Sequence, residues 1–157
     1  ILVADYKGIE IERVIASINH LKPVPHRLEY KYVSPQLSIL DDAFNANTSG
    51  IKESIKILGN YKNKRRIIIT PGLIDLGKDT SSFHQELGIY MTEFVDEIII
   101  IGNLNKDDLL TGIKQTKFDQ EKINTFDNFI SGYNYATNLK DEKIILIAND
   151  LPDKFND

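Results

Sequence analysis

The 157-residue sequence predicts a doubly wound α/β fold: a Rossmann-like, mostly parallel sheet with helices on both faces. Two observations support this prediction. Segments of strand character alternate with segments of helical periodicity along most of the chain, which is the pattern of successive βαβ units. The segments 98–101 and 144–147 are apolar at every position, as expected of parallel strands that are covered on both faces.

The first predicted element is a helix over about residues 10–20, because apolar residues between Ile9 and Ile18 recur at helical spacing. The segment Lys22-Pro23-Val24-Pro25 ends this helix, since a proline disfavours the helical conformation of the residue before it. We interpret this segment as an interdomain linker.

The rest of the chain is predicted to alternate between strands and helices. The predicted strands are 28–33, 37–44, 67–70, 98–101, 123–126 and 144–147, and the predicted helices are 51–58, 83–91, a helix that follows Asn105, and 129–139. Ser82 and Gln85 have the spacing of a capping box, which predicts a helix start at Ser82. Asn105 is predicted to cap the next helix, whose first turn favours the acidic Asp107 and Asp108.

The composition excludes several classes of function. The net charge of −4 implies no basic face, so nucleic acid is not an expected partner. The absence of cysteine excludes disulfides and cysteine-ligated metals. No apolar run approaches the roughly 18 residues of a membrane span, and the start at Ile1 lacks a basic leader. We therefore expect a cytoplasmic domain cut from a longer protein. The basic run 62–66 is predicted to be a solvated turn rather than a phosphate clamp.

The segment 72–78 has the spacing of a phosphate-binding loop but lacks its chemistry. Gly72, Gly77 and Lys78 match G-x-x-x-x-G-K directly after a predicted strand. Asp79 stands where the magnesium-binding hydroxyl belongs, and Thr80 comes one residue late, which is a rotation of about 100° on a helix. The bulky interior of the segment predicts a loop that packs back onto the protein.

The ligand edge of the predicted fold is polar and acidic. In doubly wound sheets, ligands bind beyond the carboxyl ends of the strands. Those ends carry Asp41-Asp42, Thr70-Pro71-Gly72, Gly102-Asn103 and Ala148-Asn149-Asp150. A binding site is therefore expected at this edge.

The stretch ILDDAFNANTSGIKESIKIL, at 39–58, resembles the signature that opens the C-terminal domain of the Mur ligases. The family pattern runs Asp-Asp-x-Tyr-Asn-Ala-Asn-Pro-x-Ser, and here Phe44 replaces Tyr and Thr48 replaces Pro. LKPVPHRLE, at 21–29, resembles the family's interdomain linker with its Pro-x-x-Arg, although His26 stands where Gly is common.

A third stretch, TPGLIDLGKDTSSFHQELG at 70–88, resembles the family's Gly-Asp-Met-x-Glu-Leu-Gly followed by His-x-x-x-Gly, here His84 and Gly88. Its Thr-Pro-Gly start and the chain's ANDLPDKF ending, in place of Lys-Gly-Ser, depart from the pattern and resemble a divergent branch. The resemblance extends from about residue 10 to the end of the chain.

The resemblance implies an ATP-dependent amide ligase of peptidoglycan precursor synthesis. Residues 1–22 would be the last helix of a central ATPase domain, together with the linker, and 23–157 would be the C-terminal domain. ATP and Mg²⁺ would be bound mainly by the central domain. In such ligases a carboxylate of a UDP-linked muramoyl peptide is phosphorylated, and the amine of an amino acid or dipeptide then attacks. The C-terminal domain would close against the protein's own central and N-terminal domains, and the isolated fragment would be inactive.

The resemblance also implies contacts with the nucleotide, but no catalytic residue in this domain. Arg27 matches the linker arginine that contacts the nucleotide, and Asp41 matches the acid that accepts the ribose hydroxyls. Asp42 is the less favoured alternative, because neighbouring strand residues face opposite ways. Asn45 and Asn47 match asparagines near the phosphates, although asparagine is equally suited to turns and helix caps.

Four further residues are candidates for substrate binding. Asp75 takes the place of the family's Glu, and could equally anchor its loop by hydrogen bonds. His84 matches the family's histidine, with a helix-surface histidine as the alternative. Asn149 and Asp150 lie at the expected ligand edge. No metal ligands are expected in this domain.

Two other functions remain open at this point. A non-catalytic nucleotide-binding or interaction module could use the same fold, because fold alone does not define function. A ligase of the family could also use a different amine substrate.

Overall fold

The computed structural model describes residues 2–18, 20–21, 24–44 and 46–148. The helices are α1 Leu2–Tyr6, α2 Ile11–Ile18, α3 Thr48–Leu58, α4 Thr80–Met91, α5 Lys106–Ile113 and α6 Phe129–Asn138. The strands are β1 Glu29–Ser34, β2 Leu37–Asp42, β3 Arg65–Thr70, β4 Glu97–Ile101, β5 Ile123–Phe126 and β6 Lys143–Ala148. Short 3₁₀ turns lie at Gly77–Asp79 and Gln120–Lys122.

The six strands form one sheet in the order β1-β2-β6-β3-β4-β5. β1 is an antiparallel edge strand, and the other four pairings are parallel. From β2 the chain crosses to β3 and continues to β5, and it then returns to insert β6 between β2 and β3. The predicted doubly wound, mostly parallel sheet is confirmed.

Each face of the sheet carries its own apolar cluster. α3, α4 and α5 pack on one face against Leu40, Ile68, Ile98, Ile100, Ile144 and Leu146. α6 packs on the other face against Ile39, Ile67, Ile69, Ile99, Ile101, Ile145 and Ile147. Side chains alternate between the faces along each strand, so both faces require apolar residues. This explains why the central strands are apolar throughout.

Helices α4 and α5 approach each other through two glycines. A Cβ atom on Gly88 would lie 2.4 Å from the carbonyl oxygen of Leu109, and one on Gly112 would lie 1.9 Å from that of Gln85. Both distances are far shorter than a van der Waals contact, so only glycine fits either position. Gly88 of the His-x-x-x-Gly motif therefore has a packing role.

The N-terminal helices lie apart from this core. A helix was expected over about 10–20, and α2 confirms it in shorter form, whereas α1 was not predicted. α2 has no buried residue within the described chain. Its residues Ile11, Ile15 and Ile18 are 49%, 53% and 42% exposed, so the described residues cover only about half of the apolar stripe of this helix. Pro23 lies outside the described residues.

Part of the basic run is not a solvated turn. The side chain of Lys64 is only 14% exposed and pairs with Glu142, and the prediction is also wrong for the two arginines. Both belong to β3. Arg66 pairs with Asp96 through contacts of 2.6 and 2.9 Å. Arg65 lies 2.6 Å from the fully buried Glu97 and 2.7 Å from Asp141. The hydrogen bonds that Arg66 donates to Asp96 raise the pKa of Arg66. These pairs secure the amino edge of the sheet.

The predicted capping box is also wrong. α4 begins at Thr80, so Ser82 lies within its first turn and donates its hydroxyl to the Asp79 carbonyl. The amide of Gln85 donates to Ser81 and to Asp108 on α5. Contact with α5 therefore takes the place of the local cap.

Among the described residues, no helix has both the length and the apolar character that a membrane span requires.

We expect Gly112→Ala to lower the free energy of unfolding by about 1–3 kcal/mol, the usual cost of overpacking a core. The added methyl group would meet backbone atoms of α4, which cannot rotate away. Urea denaturation measures the change. Thr111→Ala, at an exposed neighbouring position, is the control and should stay within about 0.5 kcal/mol. Equal stabilities of the two variants would contradict the close-packing explanation.

Candidate functional site

The carboxyl ends of the parallel strands gather the candidate residues at one edge of the sheet. β2 ends at Asp42, which is in register with Ala148 at the end of β6. β3 ends at Thr70, in register with Ile100 of β4. The loops that follow these strands therefore lie side by side. Asn45, Asn149 and Asp150 lie outside the described residues, and their roles stay predictions.

Asp41 is almost fully buried, at 6% exposure. Its Oδ2 pairs with the Lys31 ammonium and lies 2.9 Å from Nδ1 of His26, while Oδ1 accepts a hydrogen bond from the Ala43 N–H. Burial alone would raise the pKa of Asp41, but the bonds from Lys31, Ala43 and His26 hold it below its ordinary value. The bond to Asp41 raises the pKa of Lys31. Asp41 is therefore a buried, ionised carboxylate.

Asp42 faces the other way and fixes the linker. Its Oδ1 accepts a hydrogen bond of 3.1 Å from the backbone N–H of Leu28. Leu28 and His26 both have positive φ, at 51° and 59°, a conformation that costs energy for residues other than glycine. Since Asp41 binds His26 and Asp42 binds Leu28, the two carboxylates together hold the linker in this conformation.

Arg27 lies between these two anchored residues with its side chain exposed. Its guanidinium carbon lies 4.7 Å from the centre of the Phe44 ring, and the Phe44 N–H donates to the His26 carbonyl. The ring is 57% exposed. A guanidinium over an aromatic face is a cation–π contact, which orients Arg27 at the ligand edge while its N–H donors stay accessible.

Asn47 caps helix α3. Its side-chain oxygen accepts a hydrogen bond of 2.8 Å from the Gly50 N–H, which satisfies one of the free donors of the first helical turn. The capping interpretation of Asn47 is therefore confirmed. A contact of its exposed amide with a ligand stays a prediction.

His84 is fully buried, so the interpretation as a helix-surface histidine is wrong. Its Nε2 accepts a hydrogen bond of 2.9 Å from the Leu73 N–H, and its Nδ1 lies 2.7 Å from the Thr80 carbonyl. The Thr80 carbonyl can only accept, which assigns the proton to Nδ1. Burial lowers the pKa of His84, although the bond to Thr80 and the charge of Asp108 act in the opposite direction.

Asn105 occupies the cap position of α5, but the predicted side-chain cap is wrong: within the described chain its side chain caps no N–H of that helix. Instead its Nδ2 donates to the carbonyls of Pro71 and Leu73, at 2.9 and 3.1 Å. Asn105 is only 3% exposed. Sequence reasoning missed this role, because the bond joins residues more than 30 positions apart.

The loop after β3 is packed onto the protein, as expected from its bulky side chains. Leu73 is buried in the core, with Leu76 partly buried beside it. The N–H groups of Gly72 and Leu73 donate to Thr70 Oγ1 and to His84, so they do not line an open phosphate cradle. Asp75 is exposed with φ at 63°. No bond anchors its carboxylate within the described residues.

No group of three or more His, Cys, Asp or Glu side chains among the described residues could hold an ion. Two carboxylates at the ligand edge have protein partners, Asp41 in Lys31 and Asp42 in the N–H of Leu28.

The domain model described as "Mur ligase, glutamate ligase domain" matches residues 26–149, which span the linker arginine, the sheet and its ligand edge. The chain belongs to the Mur ligase family. The match begins beyond α1 and α2, so this Mur ligase domain coincides with the part of the chain that forms the sheet.

Curated relatives share this region. UDP-N-acetylmuramoyl-tripeptide–D-alanyl-D-alanine ligase from Buchnera aphidicola subsp. Baizongia pistaciae is 28% identical over 102 residues, which are 64% of this chain and 22% of the relative. The ligase of the same name from Bacillus subtilis is 27% identical over 101 residues, 63% of this chain and 22% of the relative. The alignments with these curated relatives thus span about a fifth of their length.

Solved structures share the fold. A crystal structure of MurF from Acinetobacter baumannii has a TM-score of 0.73 at 18% identity, covering 94% of this chain and 32% of that chain. MurF from Thermotoga maritima in complex with ADP has a TM-score of 0.70 at 21% identity, covering 98% of this chain and 33% of that one. This chain therefore aligns with about a third of the length of each of these solved chains.

We expect acid to destabilise the domain through His84. Its folded-state pKa lies below its ordinary value of 6.5, so the unfolded chain binds more protons in the window between the two values. The stabilisation from the neutral ring is fully present above about pH 6.5 and is lost as the pH falls through the folded-state pKa. Urea denaturation from pH 7.5 to 5.0 should show this loss.

His84→Gln is the comparison variant for that measurement. It removes the titrating ring and leaves the other two histidines, His20 and His26, in place. The difference in unfolding free energy between wild type and variant should shrink as the pH falls. A difference that stays constant over this range would assign the acid sensitivity to other groups.

Proposed function

We propose that this chain is the C-terminal domain of an ATP-dependent amide ligase that extends a UDP-linked muramoyl peptide in the cytoplasm. The observation that carries the proposal is the family match over 26–149, together with the ligand edge that this region forms. The curated relatives are named for D-alanyl-D-alanine. We propose this dipeptide, or a single amino acid, as the incoming amine.

The ligand edge offers groups that fit a nucleotide. Arg27 carries an exposed guanidinium whose fork geometry suits phosphate and ribose oxygens, and its stacking on Phe44 at 4.7 Å restricts its orientation. Asp42 uses one carboxylate oxygen for Leu28, and its second oxygen can accept a ribose hydroxyl. When bound, ATP supplies the phosphoryl group that activates the peptide carboxylate.

Asp41 fits the same ligand only through a rearrangement. Its carboxylate is engaged by Lys31, His26 and the Ala43 N–H. A ribose hydroxyl would have to displace or share one of these donors, and exposed His26 is the partner most easily displaced. Asp42 is therefore the more accessible acid in this conformation, although the sequence resemblance favours Asp41.

The rest of the ligase would contact this domain through its N-terminal segment. We propose that α1 and α2, with residues up to 22, complete a central ATPase domain that binds most of the ATP and the Mg²⁺. The half-exposed stripe of Ile11, Ile15 and Ile18 supports this proposal, because an apolar helix face of this kind is normally buried. Closure around the linker would then exclude water and align the amine.

We expect the 157-residue chain alone to bind ATP with a dissociation constant above about 1 mM, or less than about 4.1 kcal/mol of binding. A partial site must still immobilise the whole ligand, and the lost translational and rotational freedom costs several kcal/mol of binding free energy. Titration calorimetry measures the dissociation constant of ATP for this chain and for the longer protein. Micromolar binding by the chain alone would support a self-contained nucleotide-binding module and contradict the half-site.

In the longer protein, Arg27→Ala should raise the KM for ATP about ten- to a hundredfold, since a hydrogen bond to a charged group is worth roughly 1.5–3 kcal/mol. Phe44→Leu should have a smaller effect, roughly two- to fivefold, because it removes only the cation–π contact. Lys140→Ala, an exposed cation that precedes the amino end of β6, is the control. An unchanged KM in Arg27→Ala at normal stability would remove Arg27 from the site.

A further inference from the structure

The loop 71–76 lies at the ligand edge, and two buried polar side chains hold it from below. We infer that His84 and Asn105 are positioning residues that fix this loop and thereby present Asp75 to the incoming amine. The inference rests on the proposed function, because that function places an amine at this edge.

His84 has no capacity to spare for a ligand. One ring nitrogen accepts from the Leu73 N–H at 2.9 Å, and the other donates to the Thr80 carbonyl at 2.7 Å. The ring is completely buried, so a substrate cannot reach it without unfolding the loop. The family resemblance suggested His84 as a substrate contact, and the geometry assigns it to Leu73 instead.

Asn105 also binds this loop, through its backbone carbonyls. Its side-chain amide donates to the carbonyls on both sides of Gly72, those of Pro71 and Leu73. Leu73 is thus bound at its N–H by α4 and at its carbonyl by α5. With both of its backbone groups bound, Leu73 has little conformational freedom.

Gly72 provides the space for both side chains. Its φ is +82°, and a Cβ there would lie 2.6 Å from Nε2 of His84 and 2.9 Å from Nδ2 of Asn105. Any side chain at position 72 would therefore collide with both His84 and Asn105. The close contact of α4 with α5 through Gly88 and Gly112 keeps the side chains of His84 and Asn105 at a fixed separation.

As a consequence, the short segment between Leu73 and Leu76 is anchored at both ends. Leu73 is fixed by His84 and Asn105, and Leu76 packs against the core. Between them Asp75 adopts a φ of 63°, and its exposed carboxylate has no bonding partner within the described residues. A free carboxylate held in place at the ligand edge is suited to a ligand ammonium group, such as that of an amino acid or dipeptide.

The first test needs no variant. In the uniformly ¹⁵N-labelled chain at pH 7.5, the imidazole signals of His84 should show a protonated Nδ1 and an unprotonated Nε2. The reverse tautomer would overturn the inference, because Nε2 could then not accept from Leu73. This test is independent of ligase activity.

The second test measures amide hydrogen exchange at Leu73 in three variants of the chain. His84→Phe removes the acceptor and Asn105→Asp removes the donors, and each should speed exchange about tenfold or more, the effect of losing a buried hydrogen bond. Gly132→Ala is the control. It crowds Ile101 at 2.7 Å on the α6 face and destabilises the domain without touching the loop. Equal exchange rates of the Leu73 amide in the three variants, compared under conditions in which their unfolding free energies are equal, would overturn the inference.

The third test separates positioning from general damage in the longer protein, with D-alanyl-D-alanine as the amine. Asn105→Asp and Asp75→Asn should each raise the KM for the dipeptide about tenfold and leave the KM for ATP within about twofold. Equal increases for both substrates would overturn the inference. If the wild-type protein joins no amine at all, the proposed function fails, whereas the loop contacts are still judged by the first two tests.

Discussion

The contact between α4 and α5 is the constraint on which the ligand edge depends. With glycine at positions 88 and 112, the two backbones approach more closely than any side chain would permit. This approach sets the distance between His84 near the start of α4 and Asn105 at the start of α5. Both residues then reach the same loop. The close packing in the core therefore determines the shape of a surface that lies beyond the sheet.

A second constraint is electrostatic and concerns the linker. Asp41 stays ionised although it is buried, because Lys31, His26 and a backbone N–H compensate for the lost water. A buried charge with its partners in place is costly to disturb, since removal of one partner leaves the other exposed to the low-dielectric interior. Charged groups thus bind the linker to the sheet edge, whereas α4 and α5 are held by close packing at two glycines and by hydrogen bonds to Asp108.

The sequence predicted the elements that depend on local pattern. All six strands and the helices of the sheet domain were predicted from periodicity, because both faces of the sheet are apolar and the pattern is strong. The antiparallel edge strand β1 was found as a strand, but its direction was not assigned. The two aspartates were correctly expected to face opposite ways, since that follows from strand geometry alone.

The errors share one physical cause. Gln85, Asn105, Arg65 and Arg66 each make bonds with residues distant in sequence, namely Asp108, Pro71, Glu97 and Asp96. Local rules treated these side chains as caps or as solvated charges, and tertiary contacts outcompeted those roles. His84 was misjudged for the same reason: its burial depends on a loop that lies eleven residues earlier. Only the family resemblance singled out that histidine.

The separation of α1 and α2 from the sheet has an evolutionary consequence. Because α2 buries no residue within the described chain, substitutions in it have few neighbours to disturb in the sheet domain, and their effects should be independent. The two parts can diverge at different rates and can be exchanged by recombination. The boundary between the two exchangeable parts cannot lie directly before β1, however, because residues 26 and 28 are bound by carboxylates of β2. A transferable unit would have to carry its own linker, and inheritance would then preserve the linker together with the sheet domain to which it is bound.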